Sequence, residues 1–173
     1  MKRRFAYPVY TQLKGPDLYR HSITGKYSRE DFHKYPEQYD CVFLPFAAQT
    51  DILLNGIYWD KNIPRLFQKQ DISADTFIIQ TIADITDDTG GSVPINLGDQ
   101  TIEDPVYGVD RNTFEKTAPY LPGAIDLMSV GNLPNELPRD ASRYFGEQLI
   151  KHILEDLLQG GSPVIENATI VRQ

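Results

Sequence analysis

The chain has 173 residues, 40% of them hydrophobic and 24% charged, with a net charge of −7. That composition describes a folded domain with a real core and excludes a disordered tail; 17 Lys and Arg against 24 Asp and Glu, with no basic cluster beyond Lys2 to Arg4, argues against nucleic-acid binding. No apolar run approaches the ~20 residues of a membrane helix, no secretory signal is evident, and the single Cys41 excludes an intrachain disulfide or a Cys-rich zinc site. A cytoplasmic location without membrane contact is the simple expectation. His21, His33 and His152 do not cluster, and the acidic residues lack ligand spacing, so no metal site is expected.

The first forty residues, rich in Tyr, Pro, Gly and charge, have no sustained period. They are expected to be an irregular segment with one helical turn from Ser28 to Tyr35, capped by Ser28. Residues 36–49 suggest a broken helix with Tyr39, Phe43 and Phe46 on one side. The unbroken apolar run Ile52, Leu53, Leu54 predicts a strand buried on both faces. "IPRLFQKQDI" reads as a short helix or turn with Pro64 near its start. "TFIIQTIADIT", Thr76 to Thr86, is β-branched and predicts the next strand, broken by Gly90-Gly91. Residues 96–123 look loop-like, and Ala124 to Val130 predicts a third strand.

Behind Pro138, the residues Ala141, Phe145, Leu149, Ile150, Ile153, Leu154, Leu157 and Leu158 recur at helical steps. Pro138 suits the entrance, Asp140 complements the dipole, and Gly160-Gly161 suits the exit. "PVIENATIV" suggests a last strand. Strands alternating with helices predict an α/β fold with a mainly parallel sheet and flanking helices. The expected divisions are 1–40, 41–137 and 138–173.

In open parallel sheets, ligands gather at the carboxyl ends of strands. Three predicted strand ends carry polar, aromatic or glycine residues: Asn55-Gly56 with Tyr58, Trp59 and Asp60; Asp84 to Asp88 with Gly90-Gly91; and Gly131-Asn132-Leu133-Pro134. Each alone also reads blandly, as an aromatic cover, an acidic turn and a stiff helix entry.

"TDILLNGIYWDKNIPRLF", "IADITDDTGGSVP", "TIEDPVYG" and "VGNLPNELPRDASRYFG" together resemble the saccharopine dehydrogenase and lysine–ketoglutarate reductase family, which is related to alanine dehydrogenases and proton-translocating transhydrogenases. The resemblance runs from about Pro8 to Ile170. It implies a partial Rossmann-like fold, the second half of a dinucleotide-binding domain, with 41–137 as the nucleotide-binding region and 138–173 as a long helix and return segment. It also implies NAD or NADP as cofactor, an amino-acid substrate, and hydride transfer between nicotinamide and an imine or secondary amine.

By the same resemblance, Asn55, Gly56, Tyr58, Asp84, Gly131, Asn132, Leu133 and Pro134 would meet the cofactor. Asp88 would be the proton donor or acceptor, and Arg139 would reach a substrate carboxylate. Two departures stand out. No G-x-G-x-x-G occurs in the chain, and Gly131 stands where relatives commonly carry Asp. The expectation is therefore a half-domain that is inactive alone. It would need a complementary chain with the phosphate loop, and it would self-associate or pair through an open sheet edge. The alternative is a non-catalytic half-domain for assembly or ligand binding, or a gene fragment inactive alone.

Overall fold

The computed structural model describes residues 6–98 and 100–170; Lys2 to Arg4 and Val171, the last residue of the expected final strand, lie outside them. The chain forms two compact units, Met1–Gly131 and Asn132–Gln173.

The first unit opens with α1 (Gly15–Leu18), β1 (Tyr19–His21), α2 (Arg29–Lys34) and β2 (Tyr39–Cys41). β1 and β2 pair antiparallel, with Tyr19 opposite Cys41. Aromatic packing organises this Tyr-rich stretch. Phe32 stacks on Tyr19 at 4.5 Å and meets Tyr39 edge-on at 5.1 Å. Ser28 caps α2 as expected, its Oγ accepting the Asp31 N–H at 3.3 Å. The broken helix expected over 36–49 is instead a 3₁₀ turn at Pro36–Gln38, then β2, then α3 (Leu44–Ala47). Pro36 and Pro45 each start a new turn, and pairing with β1 holds Tyr39 to Cys41 extended.

The main sheet contains β3 (Ile52–Asn55), β4 (Thr81–Asp84), β5 (Val106–Asp110), β6 (Lys116–Thr117) and β7 (Ala124–Met128). Their order is β3-β4-β7-β5-β6. β3, β4 and β7 run parallel, while β5 is antiparallel to β7 and β6 to β5. This mixed α/β sheet fits the expected partial Rossmann-like fold. Ile79, Ile82, Val93, Ile95, Val109, Ile125 and Leu127 form its buried centre.

Three expectations change in this unit. β3, an edge strand, is not buried on both faces, because the face carrying Ile52 and Leu54 is uncovered: Ile52 is 63% exposed and Leu54 71%, and it is Asn55 that is buried. β4 begins only at Thr81, because the carbonyls of Ile72, Phe77 and Ile79 accept from the Arg111 guanidinium instead of a neighbouring strand. The stretch 96–123 contains β5 and β6, a hairpin turned by Asp110. Its Oδ1 accepts the N–H groups of Asn112 (2.8 Å) and Thr113 (2.9 Å). Those bonds hold the Asp110 carboxyl below its ordinary range.

The second unit begins with Asn132 in the left-handed region, φ 50°, followed by a 3₁₀ turn over Leu133–Asn135. α4 (Pro138–Leu149) then starts, with Pro138 at its entrance. It continues through a π-helical stretch at Ile150–Leu154 into α5 (Glu155–Leu158). Gly160 and Gly161 end it at φ 94° and 123°. The expected last strand is a helix, α6 (Pro163–Ala168). Ser162 caps it by accepting the Ile165 N–H at 3.4 Å, and Pro163 fixes its first turn. A Ser-Pro start outweighed the β-branched residues behind it.

Candidate functional site

The parallel strands β3, β4 and β7 end on the same side of the sheet, and each ends in a buried polar side chain: Asn55, Asp84 and, one residue past β7, Ser129. Register brings the first two together, since Asn55 is the partner of Asp84. Asn55 Nδ2 donates to Asp84 Oδ1 at 2.8 Å and to Ser92 Oγ at 2.8 Å. Asp84 Oδ1 also accepts from Thr86 Oγ1 at 2.7 Å, and Asp84 Oδ2 accepts from Asn96 Nδ2 at 2.9 Å. Three neutral donors thus point at one fully buried carboxyl group, both of whose oxygens accept hydrogen bonds.

Asn96 carries the network onward. Its Oδ1 accepts from the Gly98 N–H at 2.9 Å, Ser129 Oγ at 3.0 Å and Tyr107 OH at 3.3 Å. Tyr107 OH in turn accepts the Leu97 N–H at 2.8 Å. Burial pushes the Tyr107 phenol up, the Asp87 and Asp84 charges add to this, and the Leu97 N–H opposes it. Ser129 Oγ also contacts Asp87 Oδ1. Asp87 itself stands in the left-handed region at φ 53°.

The expected site residues therefore divide by environment. Asn55 and Asp84 are buried and bonded to protein groups that hold the 86–98 segment against the strand ends. Gly56, Tyr58 and Asp88 are exposed, and Gly131 is half-buried. A Cβ placed on Gly56 or Gly90 would meet nothing within 4 Å, so both present bare, open backbone. Asn132, Leu133, Pro134 and Arg139 belong to the second unit; Leu133 is half-buried and the other three are exposed.

Asp88 starts a tight turn in which the Gly91 N–H donates to the Asp88 carbonyl at 2.8 Å. Gly90 takes φ 61°. Gly91 admits no side chain, because a Cβ there would stand 2.5 Å from Asp88 Cβ and 2.9 Å from its carbonyl oxygen. Arg65, from the loop after β3, donates from Nε to the Gly91 carbonyl at 3.1 Å and from Nη2 to the Gly90 carbonyl at 2.8 Å. Its guanidinium stands 5.4 Å from the Trp59 ring centre.

Sequence reasoning assigned no role to Ser92, Asn96, Ser129 or Arg65. The available signal was position: Ser129 follows a predicted strand, and Ser92 and Asn96 follow the glycine pair. A shallow hollow lined by Leu44, Ala47, Asp71, Ala74, Thr76 and Phe77 contains none of these residues. Among the described residues no group of three His, Cys, Asp or Glu side chains is placed to hold a metal ion, and no helix is long and apolar enough to cross a membrane.

Comparison with known proteins gives the ancestry of this arrangement. The chain is 33% identical to the mitochondrial alpha-aminoadipic semialdehyde synthase of Mus musculus, over 84% of its own length. It belongs to the saccharopine dehydrogenase and lysine–ketoglutarate reductase family. A plant relative, the alpha-aminoadipic semialdehyde synthase of Arabidopsis thaliana, is 29% identical over 83% of the chain. The NAD(+)-dependent, L-lysine-forming saccharopine dehydrogenase of Candida albicans is 28% identical over 68% of it. No family model matches the chain. The matched region spans 19% of the mouse protein, 14% of the plant protein and 29% of the yeast one.

Proposed function

We propose that this chain supplies the nicotinamide-facing strand ends of an NAD(P)-dependent amino-acid dehydrogenase acting on an imine or secondary amine. The observation that carries the reading is the set of three parallel strand ends, β3, β4 and β7, tied into one network by Asn55, Asp84, Asn96 and Ser129. Ligands of open parallel sheets bind there, and the curated relatives include a dehydrogenase whose name specifies NAD(+).

A bound nicotinamide would accept or give the hydride, the step that the protein itself cannot perform. Gly56 and Gly90, with no side chain over their backbone, would admit the flat ring. Tyr58 would flank it. By the family resemblance, Asn132, Leu133 and Pro134 of the second unit would also meet the cofactor. Gly131, where relatives commonly carry Asp, would not supply that carboxylate. Asp88 would take or return the substrate nitrogen's proton, the ligand itself covering a carboxyl that is otherwise exposed. Arg139 would hold the substrate carboxylate.

These 173 residues contain no glycine-rich diphosphate loop, so in this proposal the loop is supplied from outside them, as by a complementary polypeptide. The open edge of β3, with Ile52 and Leu54 exposed, is the proposed joining surface, for that polypeptide or for a second copy. The second reading is a non-catalytic half-domain in assembly or ligand binding. The cytoplasm is the proposed location, although the mouse relative's name places that protein in the mitochondrion.

The test is an NADH fluorescence titration of the chain, followed by Asp88→Asn in an enzyme reconstituted with a complementary polypeptide. Saturable binding and a slowed turnover with an altered pH profile support the dehydrogenase reading. No binding at millimolar NADH favours the non-catalytic one, and an unchanged pH profile removes Asp88 from the proton transfer.

A further inference from the structure

We infer that Arg65 is a positioning residue for the proposed site, setting the Asp88–Gly91 turn on which the cofactor would rest. The inference builds on the proposed function but has a readout of its own.

The turn cannot fix itself. It has a single internal backbone bond, from the Gly91 N–H to the Asp88 carbonyl, and one outward bond, from the Gly90 N–H to the Asn96 carbonyl at 3.0 Å. Two successive glycines otherwise leave it the widest conformational freedom a chain can have. Arg65 removes that freedom by donating from two different nitrogens to two successive carbonyls, Gly90 and Gly91. A planar guanidinium makes such a pair of bonds in one orientation only. Its other constraints come from its own loop. The Trp59 ring lies against it, and Trp59 is itself held by its Nε1–H donating to the Ile63 carbonyl at 2.9 Å.

The fixed turn acts directly on Asp88. Gly91 packs so closely over Asp88 that a Cβ at 91 would overlap both the Asp88 Cβ and its carbonyl oxygen. Moving Gly91 therefore moves the base of the Asp88 side chain. Arg65 arrives from the loop after β3 and Asp88 from the loop after β4, so the clamp makes the first strand end set the geometry of the second. A lysine would keep the charge and lose the fork, since one ammonium cannot lie in the planes of both bonds.

The experiment uses the 173-residue chain as wild type, Arg65→Lys and Arg65→Ala, each confirmed folded by circular dichroism. The amide resonances of Asp88, Gly90 and Gly91 and the NADH dissociation constant are measured with and without millimolar methylguanidinium. The expected result is displaced or broadened resonances at all three positions in both variants. NADH binding should weaken about tenfold in Arg65→Ala, the loss of one or two charge-assisted hydrogen bonds, and methylguanidinium should restore both signals in Arg65→Ala. Restoration of position and affinity is not expected of a residue that only adds stability.

Unchanged resonances in folded variants would overturn the inference, and so would a lowered melting temperature with NADH affinity intact. If the wild type fails to bind NADH while the resonances respond and are rescued, the clamp stands and the dehydrogenase reading of the site falls.

Discussion

Asn55 and Asp84, paired across the ends of two adjacent parallel strands, share a 2.8 Å hydrogen bond in a buried environment. This bond begins the chain of contacts that ties the β4–β5 connection to the sheet. Replacing Asp84 by Ala leaves Asn55, Thr86 and Asn96 without their shared acceptor. Buried donors stripped of a partner are costly, so a loss of about 3 kcal/mol is expected. Urea unfolding measures it. Asp84→Asn should fall between, because one of its two terminal atoms becomes a donor facing donors.

Gly91 and Gly56 should respond oppositely to alanine. At Gly91 the new methyl would overlap Asp88, and a loss of about 1–3 kcal/mol is expected as the turn shifts. At Gly56 nothing stands within 4 Å, so stability should stay within about 0.5 kcal/mol of wild type. NADH affinity should nevertheless fall in Gly56→Ala, because the methyl occupies the face proposed for the ring. Thermal melts and fluorescence titrations of the two variants separate these effects.

Arg111 holds the segment before β4 by donating to the Ile72, Phe77 and Ile79 carbonyls. Burial lowers its tendency to hold its proton. Arg111→Ala strips three carbonyls of a charged donor, and a loss of about 3 kcal/mol is expected in urea unfolding. Arg111→Lys should recover part of it, since an ammonium has three donors but no planar fork.

Cys41 gives a pH-dependent term of known sign. Burial pushes its thiol from the ordinary 9.0 up to about 11, with the Phe43 backbone bond opposing. The folded chain therefore keeps this proton in a range where the unfolded chain has released it. The contribution is complete below about pH 9 and is lost as pH rises from there towards 11. The urea midpoint of wild type should fall more steeply over that interval than that of Cys41→Ala. At pH 8 the thiol should react slowly with iodoacetamide.

Much of this architecture was legible from patterns that do not depend on distant contacts. Ser28 and Pro138 marked helix starts by their own chemistry, and Gly160-Gly161 marked an end by its backbone freedom. The family motifs located the three strand ends. What escaped depended on long-range pairing. Val106–Asp110 became a strand because β7 and β6 lie on either side of it, and the strand expected from Thr76 starts only at Thr81 because Arg111, some thirty residues later in sequence, takes the Phe77 and Ile79 carbonyls. The apolar run at Ile52 suggested burial on both faces, but burial depends on what packs over each face of the sheet, which the run itself does not specify. Asn55 and Asp84 were correctly marked as strand-end residues, yet only register shows that they bond each other. Arg65 sat inside a quoted motif without a role, because its partners are backbone carbonyls and leave no side-chain pattern.

The most direct measurement is an NADH titration of the ¹⁵N-labelled 173-residue chain, followed by amide shifts. A nicotinamide site at the strand ends predicts saturable changes concentrated at Gly56, Tyr58, Asp88 to Gly91, and Gly131. No change at millimolar NADH, or changes confined to segments such as Pro163–Ala168 or Arg29–Lys34, would contradict it.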